Sequence, residues 1–150
     1  MQSIILETDL TESIHCQPGV PQRILPLTNP PNAAPDFPLR WWRTREPLSF
    51  SPVDLAPLRR CLIRDTSISE PQWIDAVTGD PASAIGVGVA LLRQHGMCAI
   101  EIDLGLSAAL ACAIEGDVTT PILIASALRR RGKIDPACRI LSDLWLNTRF

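Results

Sequence analysis

Three times in the second half of the chain an aspartate or threonine is followed by proline and then by an apolar stretch: Asp80-Pro81, Thr120-Pro121 and Asp135-Pro136. This is the chemistry of a helix start. A side-chain oxygen at the N-cap accepts a bond from one of the first unpaired amides, and proline at the first helical position gives up a donor that had no partner there. Two of the segments stop on glycine, at Gly96 and Gly132, where a left-handed residue commonly closes a helix. The pattern predicts an all-α chain, a compact bundle of about five to six short helices.

The spacing of these signals sets the expected elements. Ser51-Pro52-Val53-Asp54 offers a cap, a first-turn proline and an early acid, with Pro57 limiting how far that helix runs unbroken towards Arg64. Ser69 and Gln72 resemble a capping box that opens a short helix ending at Gly79. Helices over Pro81 to His95, Leu104 to Glu115, Pro121 to Arg131 and Pro136 to about Leu146 follow. Ala82 to Leu92 and Leu104 to Ile114 are apolar nearly all round and are expected at the centre. The last helix is amphipathic, with Ala137, Leu141, Leu144 and Trp145 on one side and Arg139, Ser142 and Asp143 elsewhere. Two segments also fit strands: Ile85-Gly86-Val87-Gly88-Val89, whose mid-helix glycines need a packing reason such as close helix approach, and residues 97–102.

The chain changes character near residue 51. Ten of its fourteen prolines lie between Pro18 and Pro57, so residues 1–50 are expected as an irregular proline-rich lead, extended or polyproline-like from Pro18 to Pro47, and 51–150 as the helical domain. Within the lead, Ser3 to Leu6 suit a short strand and Asp9 to Cys16 a short helix with Glu12 three positions after its cap.

Composition narrows the setting. With 150 residues, 46% hydrophobic and 20% charged, the chain suits a single soluble domain able to bury a core. A net charge of -2 gives no general attraction to nucleic acid or anionic lipid. The start, MQSIILETDL, lacks a basic region and meets Glu7 and Asp9 early, and the longest apolar runs, 84–92 and 104–114, fall short of the roughly 18 to 20 residues of a membrane span. Five cysteines, two of them inside apolar helical stretches, read as reduced thiols. The expectation is a soluble cytoplasmic protein.

Chemical motifs are sparse. Gly86 and Gly88 form a G-x-G without the rest of a dinucleotide fingerprint. His15-Cys16 and His95-x-x-Cys98 carry zinc-type ligands without the usual knuckle spacing, and His95 suits a last-turn cation. Glu101 with Asp103, and Glu115 with Asp117, are conceivable carboxylate pairs, but Asp103 is better spent capping a helix at Leu104. The helical segments starting at Pro81 and Pro121 echo one another without forming an array. No catalytic residue, metal or cofactor is expected, and the chain reads as a non-enzyme.

Two clusters suit binding. Arg40-Trp41-Trp42-Arg43-Thr44-Arg45 interleaves indoles with guanidinium groups, the side chains most enriched at interaction hot spots. Arg40, Trp41, Trp42, Arg43 and Arg45 are therefore the candidate contacts of a protein–protein interaction module such as an adaptor, inhibitor or accessory subunit. The bland alternative is a tryptophan anchor that pins the lead onto the bundle while the arginines reach water. The second cluster is Arg129-Arg130-Arg131, which closes a helix–turn–helix-like stretch and raises the alternative of a small DNA-binding regulator. Against it, the start of that helix, Pro121-Ile122-Leu123-Ile124, has no donor for a base edge.

Overall fold

The computed structural model describes residues 37–65 and 67–148, so the expectations for Ser3 to Leu6, Asp9 to Cys16 and the prolines before Pro38 lie outside the described residues. The chain is an all-α bundle. Helices α1 (Trp41–Thr44), α2 (Leu55–Arg64), α3 (Trp73–Thr78), α4 (Pro81–Gln94), α5 (Ile100–Ile114), α6 (Thr120–Arg131) and α7 (Ala137–Asn147) follow one another, with 3-10 turns at Pro38–Arg40, Pro47–Ser49 and Pro52–Asp54. No strand occurs among the described residues: 85–89 lie within α4, and 97–102 form a turn and the start of α5.

Aspartates set most of the helix starts. The Asp80 carboxylate accepts from the Ser83 amide at 2.8 Å, with Pro81 opening α4 as the sequence predicts. At the next start the cap is not Thr120 but Asp117, whose Oδ1 accepts from the amides of Thr119 and Thr120 at 2.9 and 2.7 Å. An ionised acceptor outcompetes a hydroxyl for these amides. Asp135 accepts from the Ala137 amide at 3.1 Å and so opens α7. Before α2, the Ser51 amide donates to Asp54 at 2.8 Å. Pro57 does not break α2, because it falls in the first turn where amides are unpaired. Ser69 makes no cap; α3 begins at Trp73, with Gln72 as its flanking residue. The left-handed glycines are Gly79 (φ 111°) and Gly116 (φ 98°), and not Gly96 or Gly132. Gly132 keeps a right-handed backbone, and a Cβ there would run into the Arg139 side chain, so close approach explains it instead.

Helix α5 is the centre of the bundle, packed against α1, α2, α3, α4 and α6. From Ile102 to Ala113 every residue is buried. It begins at Ile100, four residues before the expected start, so Asp103 is a buried residue of its first turn and not a cap. Helices α4 and α5 cross at glycines: a Cβ on Gly105 would lie 3.5 Å from the Gly88 Cα, and one on Gly88 2.7 Å from Leu123 Cδ2. This is the packing reason the α4 glycines require, and it holds for Gly88; Gly86 is exposed and faces only the Gln72 side chain. The inner face of α7 is Cys138, Leu141, Ser142 and Trp145, rotated from the expected stripe because the buried Ser142 hydroxyl donates to the Ala125 carbonyl of α6 at 2.8 Å; Leu144 is left exposed.

Residues 37–50 belong to this body. Leu39, Trp41 and Trp42 are core residues, so the expected boundary at residue 51 falls inside the helical unit and the segment is helical turns, not polyproline. Two polar residues of α5, one turn apart, hold it: the Ser107 hydroxyl donates to the Leu39 carbonyl at 3.0 Å, and Asp103 accepts from Trp42 Nε1 at 3.0 Å and from Arg43 Nε and Nη2, both at 2.9 Å. Asp103 raises the Arg43 pKa above its ordinary value, chiefly through these hydrogen bonds and against the opposing effect of burial.

Stability measurements test this packing. Trp42→Ala is expected to cost about 3–5 kcal/mol in urea unfolding, because the indole is fully buried. Asp103→Leu is expected to cost about 3–5 kcal/mol, and the double change Asp103→Leu with Arg43→Leu to cost less than Asp103→Leu alone, since no unpaired charge then remains. In α4, Gly88→Leu lowers the unfolding midpoint because its side chain would run into Leu123 of α6, whereas Gly86→Ala leaves it unchanged or raises it by up to about 1 kcal/mol of stability. The caps add a pH dependence. Burial pushes Asp117 and Asp54 up, but hydrogen bonds from Thr119 and Thr120, and from Ser51 and Arg45, outweigh it; the Ser83 hydroxyl and amide lower Asp80. All three carboxyls lie below the ordinary 3.8, so their contribution is complete above that value and is lost as the pH falls through the folded-state values. Asp117→Asn should flatten the acid limb of a stability–pH curve.

Candidate interaction site

The interleaved cluster is turned inward. Trp42 has no exposed surface and Trp41 is 7% exposed. Arg43 spends its fork on Asp103. The Arg45 guanidinium lies 4.8 Å from the Trp41 ring and 4.6 Å from the Phe50 ring, pairs with Asp54 at 3.1 Å, and donates to the Ser49 carbonyl at 2.8 Å. Phe50 in turn stands 6.0 Å from Trp145, so an aromatic row links this segment to α7. Arg40 alone of the five faces solvent, 3.8 Å from Asp103 with its side chain 57% exposed. Both indoles are covered because α1 is a helical turn, in which neighbouring residues are separated by about 100° and not pointed to opposite faces as in an extended strand.

The second cluster is also partly committed. Arg131 donates to the Met97 carbonyl at 2.7 Å, and Arg130 to the Leu92 carbonyl at 3.3 Å, one of the last carbonyls of α4 that has no partner within its own helix. Arg129 is the outward member, 3.8 Å from Asp143 with both side chains largely exposed. At the other end of α6, Pro121 is buried, Ile122 is exposed, and the exposed Thr119 hydroxyl before them donates to Asp117 at 2.7 Å.

A concavity that the sequence patterns did not single out lies at the opposite flank of α2. It has a volume of about 460 Å³ and is lined by Ile63 of α2, by Asp65, Ile68, Ser69 and Glu70 of the connection, and by Trp73, Ile74, Val77 and Thr78 of α3. The geometry follows from a six-residue helix with two apolar faces. Trp73, Ala76 and Val77 occupy i, i+3 and i+4 and bury against the core, which leaves Ile74 on the outer face. The floor is therefore Trp73, Val77 and Ile68, all buried, and the rims carry Ile63 and Ile74, which are 65% and 70% exposed. The signal available in the sequence was Trp73-Ile74 and Leu62-Ile63, where an isoleucine follows a core residue and the next residue is polar or charged.

The lining holds two carboxylates and two hydroxyls but no imidazole, thiol or amine. Among the described residues no group of three histidine, cysteine or acidic side chains is placed to hold a metal, and His95 meets Glu101 at 3.9 Å and not a cysteine. No described helix is long and apolar enough to cross a membrane. No family model, curated protein or solved structure matches the chain.

Proposed function

We propose that this chain is a non-enzymatic protein–protein interaction module, an adaptor, inhibitor or accessory subunit, whose contact surface is the groove between α2 and α3. The observation that carries this reading is the pair Ile63 and Ile74, both more than half exposed, standing on either side of a buried apolar floor. Folding alone gives no return for that arrangement. Covering one such side chain is worth about 1.5–3 kcal/mol, and a concave site with apolar rims is where a partner recovers it. Val53 and Val118 are equally exposed but line no part of this groove. The tryptophan cluster contributes indirectly, by fixing α2 and α5 as the frame.

A reducing cytoplasm suits the cysteines: Cys112 and Cys138 are buried, and burial pushes the Cys112 thiol up to about 11, which leaves it protonated and unreactive. Of the three arginines that the regulator reading needs, Arg130 and Arg131 each give a donor to a backbone carbonyl, which weakens that reading.

The test uses tagged full-length protein and its Ile74→Asp variant as baits in nuclease-treated lysate of the native host. Ile74 is exposed, so the variant should keep its unfolding midpoint within about 0.5 kcal/mol. A protein retained stoichiometrically by the parent and lost by the variant is the expected result; equal retention by both places the contact elsewhere. Duplex DNA binding that falls steeply with salt and with Arg129→Ala would favour the regulator instead.

A further inference from the structure

Resting on the interaction reading, we infer that the occupant of the α2–α3 groove is a cationic amphipathic helical segment of a partner protein. Every charged residue among the described ones that line the groove is acidic: Asp65 and Glu70, both in the connection between α2 and α3. The Asp65 Oδ1 accepts from the Ser67 amide at 2.9 Å and from the Ser67 hydroxyl, and the Glu70 Oε1 accepts from the Gln94 side-chain amide at 3.0 Å. Among the described residues no lysine or arginine forms an ion pair with either, although Arg43, Arg45 and Arg59 each find a carboxylate elsewhere. Arg64 stands beside Asp65 in sequence but lines a different hollow, with Arg60, Cys61, Pro38 and Pro57. Among the described residues the groove thus combines an apolar floor, two apolar rims and two carboxylates without an ion-pair partner.

A helix laid in such a groove presents apolar side chains at i and i+3 or i+4 to the floor, and its lysines or arginines flank them within reach of Asp65 and Glu70. The charges also answer the question of selectivity. Apolar floors accept many partners, whereas two unpaired carboxylates reject acidic segments and favour basic ones. An enclosed small-molecule site would not leave Ile63 and Ile74 standing largely in water on its rims.

The experiment selects a displayed library of random 16-residue peptides on the full-length chain and measures the enriched sequences, as synthetic peptides, by fluorescence anisotropy. Three proteins are compared: the parent, Ile74→Asp, and the double variant Asp65→Asn with Glu70→Gln, which keeps the acceptor oxygens that Ser67 and Gln94 use. Enriched peptides carrying lysine or arginine beside helically spaced apolar residues, lost on Ile74→Asp and weakened about tenfold or more by the neutralised variant, are the expected result. The same loss should appear for the parent on raising the salt. Peptides lost on Ile74→Asp but indifferent to neutralisation overturn the cationic partner while leaving the interaction reading in place. Peptides indifferent to Ile74→Asp, or no enrichment at all, overturn both. Sedimentation that shows a dimer dissociated by Ile74→Asp gives the groove to a second copy and also overturns the inference.

Discussion

A carboxylate in the middle of an apolar bundle has to be neutralised, and in this chain Leu39, Trp42 and Arg43, ahead of α2, are placed around that need and around Ser107 one turn along. Asp103 is 5% exposed in a helix whose every neighbour from Ile102 to Ala113 is buried. An isolated charge there would cost several kcal/mol. The bidentate fork of Arg43 and the Trp42 indole meet it with three donors at 2.9 to 3.0 Å. Because both donors lie in α1, satisfying Asp103 also fixes where the preceding segment sits, and Ser107 one turn along repeats the constraint on Leu39. A well-packed leucine pair could supply comparable stability. What the polar pair adds is register, since hydrogen bonds are directional where apolar contacts are not.

The opposite side of α5 is governed by the absence of side chains. Gly88 and Gly105 let α4 and α5 approach until a Cβ on one would touch the backbone of the other. The end of α4 is then closed by the arginines of α6, which supply donors to Leu92 and to Met97 in the turn that follows. A run of three arginines that resembles a nucleic-acid contact is thus in large part a C-terminal cap delivered from a neighbouring helix. The same logic applies to Arg45, whose stack against Trp41 and Phe50 ties two turns of irregular chain together.

How much of this could be read from the sequence depends on whether the deciding interaction was local. Asp80, Gly79 and Ser51 with Asp54 act within a few residues, and the elements they bound are legible. Thr120 and Asp103 were assigned caps they do not make, because Asp117 is the better acceptor for one helix and a partner sixty residues away claims the other. Leu144 was placed inward because it is apolar, whereas Ser142 takes that place through one buried hydrogen bond to Ala125. The tryptophan cluster shows the same limit most plainly. Composition marks it as a place where binding energy is concentrated, and so it is, but the surface it binds is α5 of its own chain. Asp103 and Ser107, four apart and the two polar residues of the run from Ile102 to Ala113, were the available clue, since each must find a donor or acceptor when buried.

The groove was only faintly legible for a related reason: an isoleucine after a core residue is ordinary helix chemistry, and only the packing brings Ile63, Trp73 and Ile74 to line one hollow. Its energetics set the character of whatever binds. Covering both isoleucines yields at most about 3–6 kcal/mol, and association itself costs an estimated 4 kcal/mol or more before any side chain is ordered. Apolar burial alone therefore leaves little net affinity. Among the described residues the two carboxylates of the groove, Asp65 and Glu70, are met by the neutral donors Ser67 and Gln94. Rim charges of this kind act mainly on encounter rate and on choice of partner. On the proposed reading, an apolar seat flanked by Asp65 and Glu70 suits a reversible contact whose selectivity rests on charge, on a frame whose register the buried Asp103 node sets.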